Sequence, residues 1–83
     1  MLLMENENSK NLERIVPDTS VIIEGLLSDK IKNGEIKASG IIIHEAVLAE
    51  LEHQANMGKS IGFVGLEEIT RLRDIAAKHS ISF

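Results

Sequence analysis

The chain has 83 residues, 43% of them apolar and 27% charged, a mix that suits one globular domain and argues against a disordered tail. Thirteen acidic residues against nine basic ones give a net charge of -4, and only Phe63 and Phe83 are aromatic, which argues against a passive nucleic-acid binder working by charge neutralisation or base stacking. The absence of cysteine excludes disulfides, thiolate zinc sites, iron–sulfur clusters and a cysteine nucleophile, and points to a cytoplasmic home.

Residues 1–13 read as a short apolar start followed by a flexible polar lead, and residues 14–83 as the folded portion. Arg14–Asp18 (RIVPD) predicts a short strand, with Pro17 at its end because proline cannot donate to a ladder. Thr19 and Ser20 are helix N-cap types, and VIIEGLL after them predicts a short, mostly buried helix weakened by Gly25. Ser28 then reads as the cap of a second short turn, DKIKN, ended by Gly34. The β-branched run Gly40–His44 predicts a strand buried on both faces. Glu45–Met57 predicts a helix with Val47, Leu48, Leu51 and Ala55 on one stripe, ended by Gly58. Lys59–Gly65 reads as a glycine-marked loop, Leu66–Lys78 as a second amphipathic helix, and Ile81–Phe83 as the start of another strand.

Strands alternating with helices imply an α/β fold, a parallel sheet flanked by helices, with roughly three strands and three to four helices. In such sheets ligands gather at the carboxyl ends of the strands, and that rule selects Asp18. Its ordinary alternative is a helix N-cap or first-turn acid. Glu50 borders the apolar stripe of its helix, whereas Glu52 serves as the exposed control. Paired with Asp18, Glu50 makes part of a hard, oxygen-rich site suited to Mg²⁺ or Mn²⁺. An acidic chain is compatible with that chemistry, because divalent metals make an acidic pocket attractive to phosphate.

Other motifs fail on spacing. His44-Glu45 begins like HExxH, but position 48 is Leu. Glu50-x-x-His53 has the spacing of a di-iron bundle, which needs two such motifs, so His53 reads as a surface residue. His79 suits a last helical turn, where a cation is favoured. Gly58-Lys59-Ser60 ends like a phosphate loop but lacks the earlier glycine, and reads as a helix cap and turn. The longest apolar stretches, Val21–Ile23 and Gly40–Ile43, fall far short of the ~20 residues of a membrane span, and the start lacks a basic region for a signal peptide.

The segments IVPDTS with VIIEG, and IIIHEAVLAELEHQANMGKSIGFVGLEEITRLRDIA, resemble PIN domains over roughly residues 14–83. The closest likeness is to the type fused to a P-loop ATPase and a KH-like module in prokaryotic proteins. The resemblance implies a Mg²⁺- or Mn²⁺-dependent nuclease acting mostly on RNA. It makes Asp18 the first catalytic aspartate and Glu50 the helical glutamate, both metal ligands. Ser20 matches the small hydroxyl residue that supports the aspartate, and Thr19 stands beside it as a second supporting residue. The family's later acids lie beyond a third strand, so the resemblance covers the front half of such a domain. It implies that further strands would pair with the edge of the first strand. Two functional expectations follow. One is a fragment of a metal-dependent ribonuclease, weakly active or inactive alone. The other is a non-catalytic module that forms a homo-oligomer or accepts a complementing segment at the exposed sheet edge.

Overall fold

The computed structural model describes residues 2–6, 13–79 and 81–83. Seven elements follow in order: β1 Leu2–Asn6, β2 Glu13–Pro17, α1 Thr19–Glu24, α2 Leu27–Lys32, β3 Ala38–Ile41, α3 Glu45–Asn56 and α4 Ser60–Lys78. The sheet order is β1-β2-β3, with β2 and β3 parallel and β1 antiparallel to β2. The α/β class and the parallel pairing of the two strands that precede helices agree with the sequence.

Several expectations change. Leu2–Asn6, read as part of the lead, pairs with β2 from Leu2↔Pro17 to Asn6↔Glu13, while residues 7–12 of that lead lie outside the described residues. The sheet is therefore mixed, and the side of β2 expected to be exposed is covered by β1. The second strand is shifted toward the N-terminus, Ala38–Ile41, and stops short of His44, which is the cap of α3; Ile42 N–H still donates to Ile15 O at 2.8 Å. The final segment makes an isolated parallel bridge, Gly40↔Ser82, rather than a full strand.

The expected loop Lys59–Gly65 changes as well: from Ser60 it is the first part of α4. Gly62 and Gly65 are buried there against α3. A Cβ at Gly62 would meet the backbone of Ala55, with Leu51 O at 2.7 Å, and one at Gly65 would meet the Leu51 side chain, with Cδ1 at 2.9 Å. These glycines are present because two helix backbones approach closely, which a loop reading of the same residues misses.

Two aliphatic clusters fill the interior. Ile15, Leu27, Ile31, Ile41, Leu72 and Ala76 join the sheet to α2 and α4. Ile22, Leu51 and Ile69 join α1, α3 and α4, and Ile43 packs against both clusters. Between them stands a polar clamp that hydrophobic periodicity does not reveal. Glu68, fully buried on α4, accepts from Ser28 N–H at 2.8 Å and from Ser28 Oγ at 2.7 Å. Arg71 Nε donates to the same carboxylate at 3.1 Å. Ser28 thus lies inside α2 rather than capping it. Its N–H is one of the first-turn donors that a helix cannot satisfy internally, and Glu68 satisfies it from a neighbouring helix.

Two stability measurements check this packing. Gly62→Ala is expected to lower unfolding free energy by about 1–3 kcal/mol in urea denaturation, because the neighbour is backbone that cannot turn aside. Ser28→Ala is expected to cost about 1–3 kcal/mol by leaving the buried Glu68 carboxylate short of a donor, and much less in a Glu68→Gln background, where the group left behind is uncharged.

Candidate functional site

Asp18 follows β2 directly and is the N-cap of α1. Its backbone is extended and its carbonyl already accepts from Ile22 N–H at 3.2 Å. Its Oδ1 accepts from Ser20 Oγ at 2.9 Å and from Val21 N–H at 3.2 Å. The ordinary role, helix capping, is therefore real. It is also what aims the carboxylate at the carboxyl edge of the sheet. Thr19 and Ser20, expected among the cap types, are the first two residues of α1, with Ser20 exposed and Thr19 half-buried.

The Asp18 carboxyl lies below its ordinary value, at about 2, with hydrogen bonds from the Ser20 hydroxyl and, to a smaller extent, from Val21 N–H among the causes; desolvation opposes them. The carboxylate is thus ionised, the form a metal ligand must take.

Helix α3 starts at the same edge, because β3 runs parallel to β2 and only three residues, 42–44, lead from it to Glu45. His44 caps α3, its Nδ1 accepting from Ala46 N–H at 3.1 Å, which gives this histidine a local job and no part in an HExxH-type site. Glu50 lies in the second turn, about 7.5 Å along the axis from Glu45 at the usual helical rise. It is exposed, while Leu51 beside it is fully buried and Val47 is half-buried. Gln54 Nε2 donates to Glu50 Oε1 at 2.9 Å. His53 and His79 are both exposed, and His79 is the C-cap of α4.

The structure thus brings Asp18 together with Ser20, and it starts the helices that carry Asp18 and Glu50 from one edge of the sheet. Among the described residues, no group of three or more His, Asp or Glu side chains is placed to hold a metal ion. The donors that are present are hard oxygens, and Mg²⁺ is commonly bound through one or two carboxylates while its other positions are filled by water and substrate phosphate. That chemistry fits Asp18 and Glu50 as part of a site. Sequence reasoning passed over Gln54, whose only signal is its spacing of four residues from Glu50, and Glu68, which has no signal at all. Among the described residues no helix is long and apolar enough to cross a membrane.

No family model matches the chain. It is 45% identical over 69 residues to an uncharacterized KH and PIN-domain containing protein of Methanocaldococcus jannaschii, covering 83% of this chain and 11% of that protein. It is 35% identical over 69 residues to the Holliday junction branch migration ATPase PINA of Sulfolobus acidocaldarius, covering 83% of this chain and 13% of that protein. A solved domain of a functionally unknown protein from Methanocaldococcus jannaschii superposes with a TM-score of 0.73 at 46% identity, covering 81% of this chain and 48% of that chain. The chain therefore spans a small part of the curated relatives and about half of the solved domain. These relatives support a PIN-like domain, and their names include the KH and ATPase modules expected from the sequence.

The lowered Asp18 carboxyl predicts a pH response. A carboxyl whose folded value lies below its ordinary one adds stability that is complete above the unfolded value of 3.8 and lost as pH falls toward about 2. Following the Asp18 side-chain carboxyl carbon by NMR from pH 6 to pH 1.5 is expected to give a midpoint below 3.8. Asp18→Asn is expected to remove this part of the acid-stability profile while keeping a capping oxygen.

Proposed function

We propose that this chain supplies the front portion of a metal-dependent PIN-type ribonuclease domain, with Asp18 and Glu50 as metal ligands and catalytic carboxylates. The observation that carries the reading is the parallel pairing of β2 and β3, which starts α1 and α3 at one sheet edge with a carboxylate on each. The names of the relatives support the nuclease-type family. Bound Mg²⁺ or Mn²⁺ would supply an activated water and would stabilise charge developing on a phosphodiester. Asp18 would hold the ion from the start of α1, with Ser20 Oγ fixing the orientation of its carboxylate. Thr19 stands beside them as a supporting residue. Glu50 would hold the ion from α3. With two carboxylates, the chain alone is a weak or inactive catalyst. In a longer parent, KH and ATPase modules would accompany it.

A second reading is a non-catalytic module that associates with another copy of itself. It is favoured by an open cleft beside β3 in which Ile42, Leu48 and Phe83 remain exposed, with Arg14 and Arg73 among its lining residues.

Calorimetric titration with MnCl₂ separates the two. The nuclease reading expects binding in the millimolar to sub-millimolar range that is lost in Asp18→Asn and Glu50→Gln, both of which remain folded. It also expects any cleavage of a single-stranded RNA oligonucleotide to disappear with Asp18→Asn. No manganese binding, together with a dimer in sedimentation equilibrium, would support the second reading and overturn the first.

A further inference from the structure

We propose that Gln54 is a positioning residue for Glu50, fixing the side-chain rotamer of that carboxylate on α3. The consequence for metal affinity rests on the reading above; the positioning itself does not.

Gln54 stands one helical turn after Glu50 and donates to it from Nε2 at 2.9 Å. Glu50 is exposed and Gln54 half-buried. An exposed glutamate ordinarily samples several staggered rotamers, so it needs an anchor to hold one. Gln54 provides the anchor on unusual terms. Its Oε1 is buried and meets no hydrogen-bond donor among the described residues. An amide carries its donors and its acceptor on opposite sides of one torsion. Turned about that torsion, Gln54 would place a carbonyl oxygen against the Glu50 carboxylate, acceptor against acceptor. The orientation present is the one Glu50 demands, and it is kept although it leaves a buried acceptor unmet, which is unfavourable. A residue serving only the packing of α3 would do better here with an apolar side chain of similar size. Leucine at this position would remove the unmet acceptor and the bond to Glu50 together, and would therefore separate stability from positioning.

The test measures the three-bond side-chain couplings of Glu50 by NMR in the 83-residue chain, wild type and Gln54→Leu, with Glu52 on the same helix as internal control. The expected result is a single Glu50 rotamer in the wild type and averaged couplings in the variant. Glu52 should be unchanged and the thermal midpoint equal or higher. Should Gln54→Leu fail to fold, Gln54→Met, unbranched and of similar length, takes its place. Titration with MnCl₂ is expected to show affinity weaker by on the order of tenfold in the variant, the usual consequence of losing a group that orients a metal ligand. Glu50 couplings that are the same with and without Gln54 would overturn the proposal. So would a large fall in thermal midpoint with the Glu50 couplings unmoved, which is the signature of a packing role. If the couplings respond but the wild type shows no manganese binding, the positioning stands and the metal reading falls.

Discussion

The close approach of α3 to α4 governs where Glu50 stands. Gly62 and Gly65 remove two side chains from α4 where α3 crosses it, so the helices meet backbone to backbone around Leu51 and Ala55. Leu51 is fully buried in that contact, which turns the next residue back along α3, Glu50, outward. On α4, Glu68 reaches the first turn of α2 through two hydrogen bonds from Ser28. Arg71, which shares the Glu68 carboxylate, also lies near Gly25, the left-handed cap that ends α1. Helix α4 carries no proposed ligand, yet it locates both helices that do.

The sheet supplies the other half of the geometry. Because β2 and β3 are parallel, each hands its chain to a helix at the same edge, and each helix begins with a side-chain cap, Asp18 for α1 and His44 for α3. Capping and ligation ask different things of Asp18 without conflict. The cap bonds orient the carboxylate and help to keep it ionised, which is what a hard cation requires of a ligand. Helix N-termini favour a negative group for the same electrostatic reason. Strand β1 adds five residue pairs along the other side of β2, which makes β2 the central strand of the three.

Much of this was legible in the sequence where the signal is local. A strand ending in proline, an aspartate and two hydroxyl residues marks a strand-to-helix turn, and the β-branched run before Glu45 marks the second. Features set by tertiary contacts were not. Glycine weakens a helix by propensity, so Lys59–Gly65 reads as a loop; only the neighbour at Ala55 explains why glycine is needed inside α4. Periodicity finds buried positions through apolar residues, so the fully buried Glu68 was invisible. Leu2–Asn6 has no strand signal of its own and becomes one by pairing with β2. For the proposed site, Asp18 and Glu50 are selected by residue type and position. Gln54 carries no motif signal, because the role proposed for it lies in a hydrogen bond.

The central claim is that Asp18 and Glu50, on separate helices, form one cation site at the carboxyl edge of the sheet. The most direct measurement is selective paramagnetic broadening of backbone amides as Mn²⁺ is added to the wild-type chain and to Asp18→Asn. The account predicts broadening that centres jointly on residues around Asp18–Val21 and around Glu50, and that vanishes at both places in the variant. Broadening confined to other carboxylates, or persisting around Glu50 after Asp18 is neutralised, would contradict it.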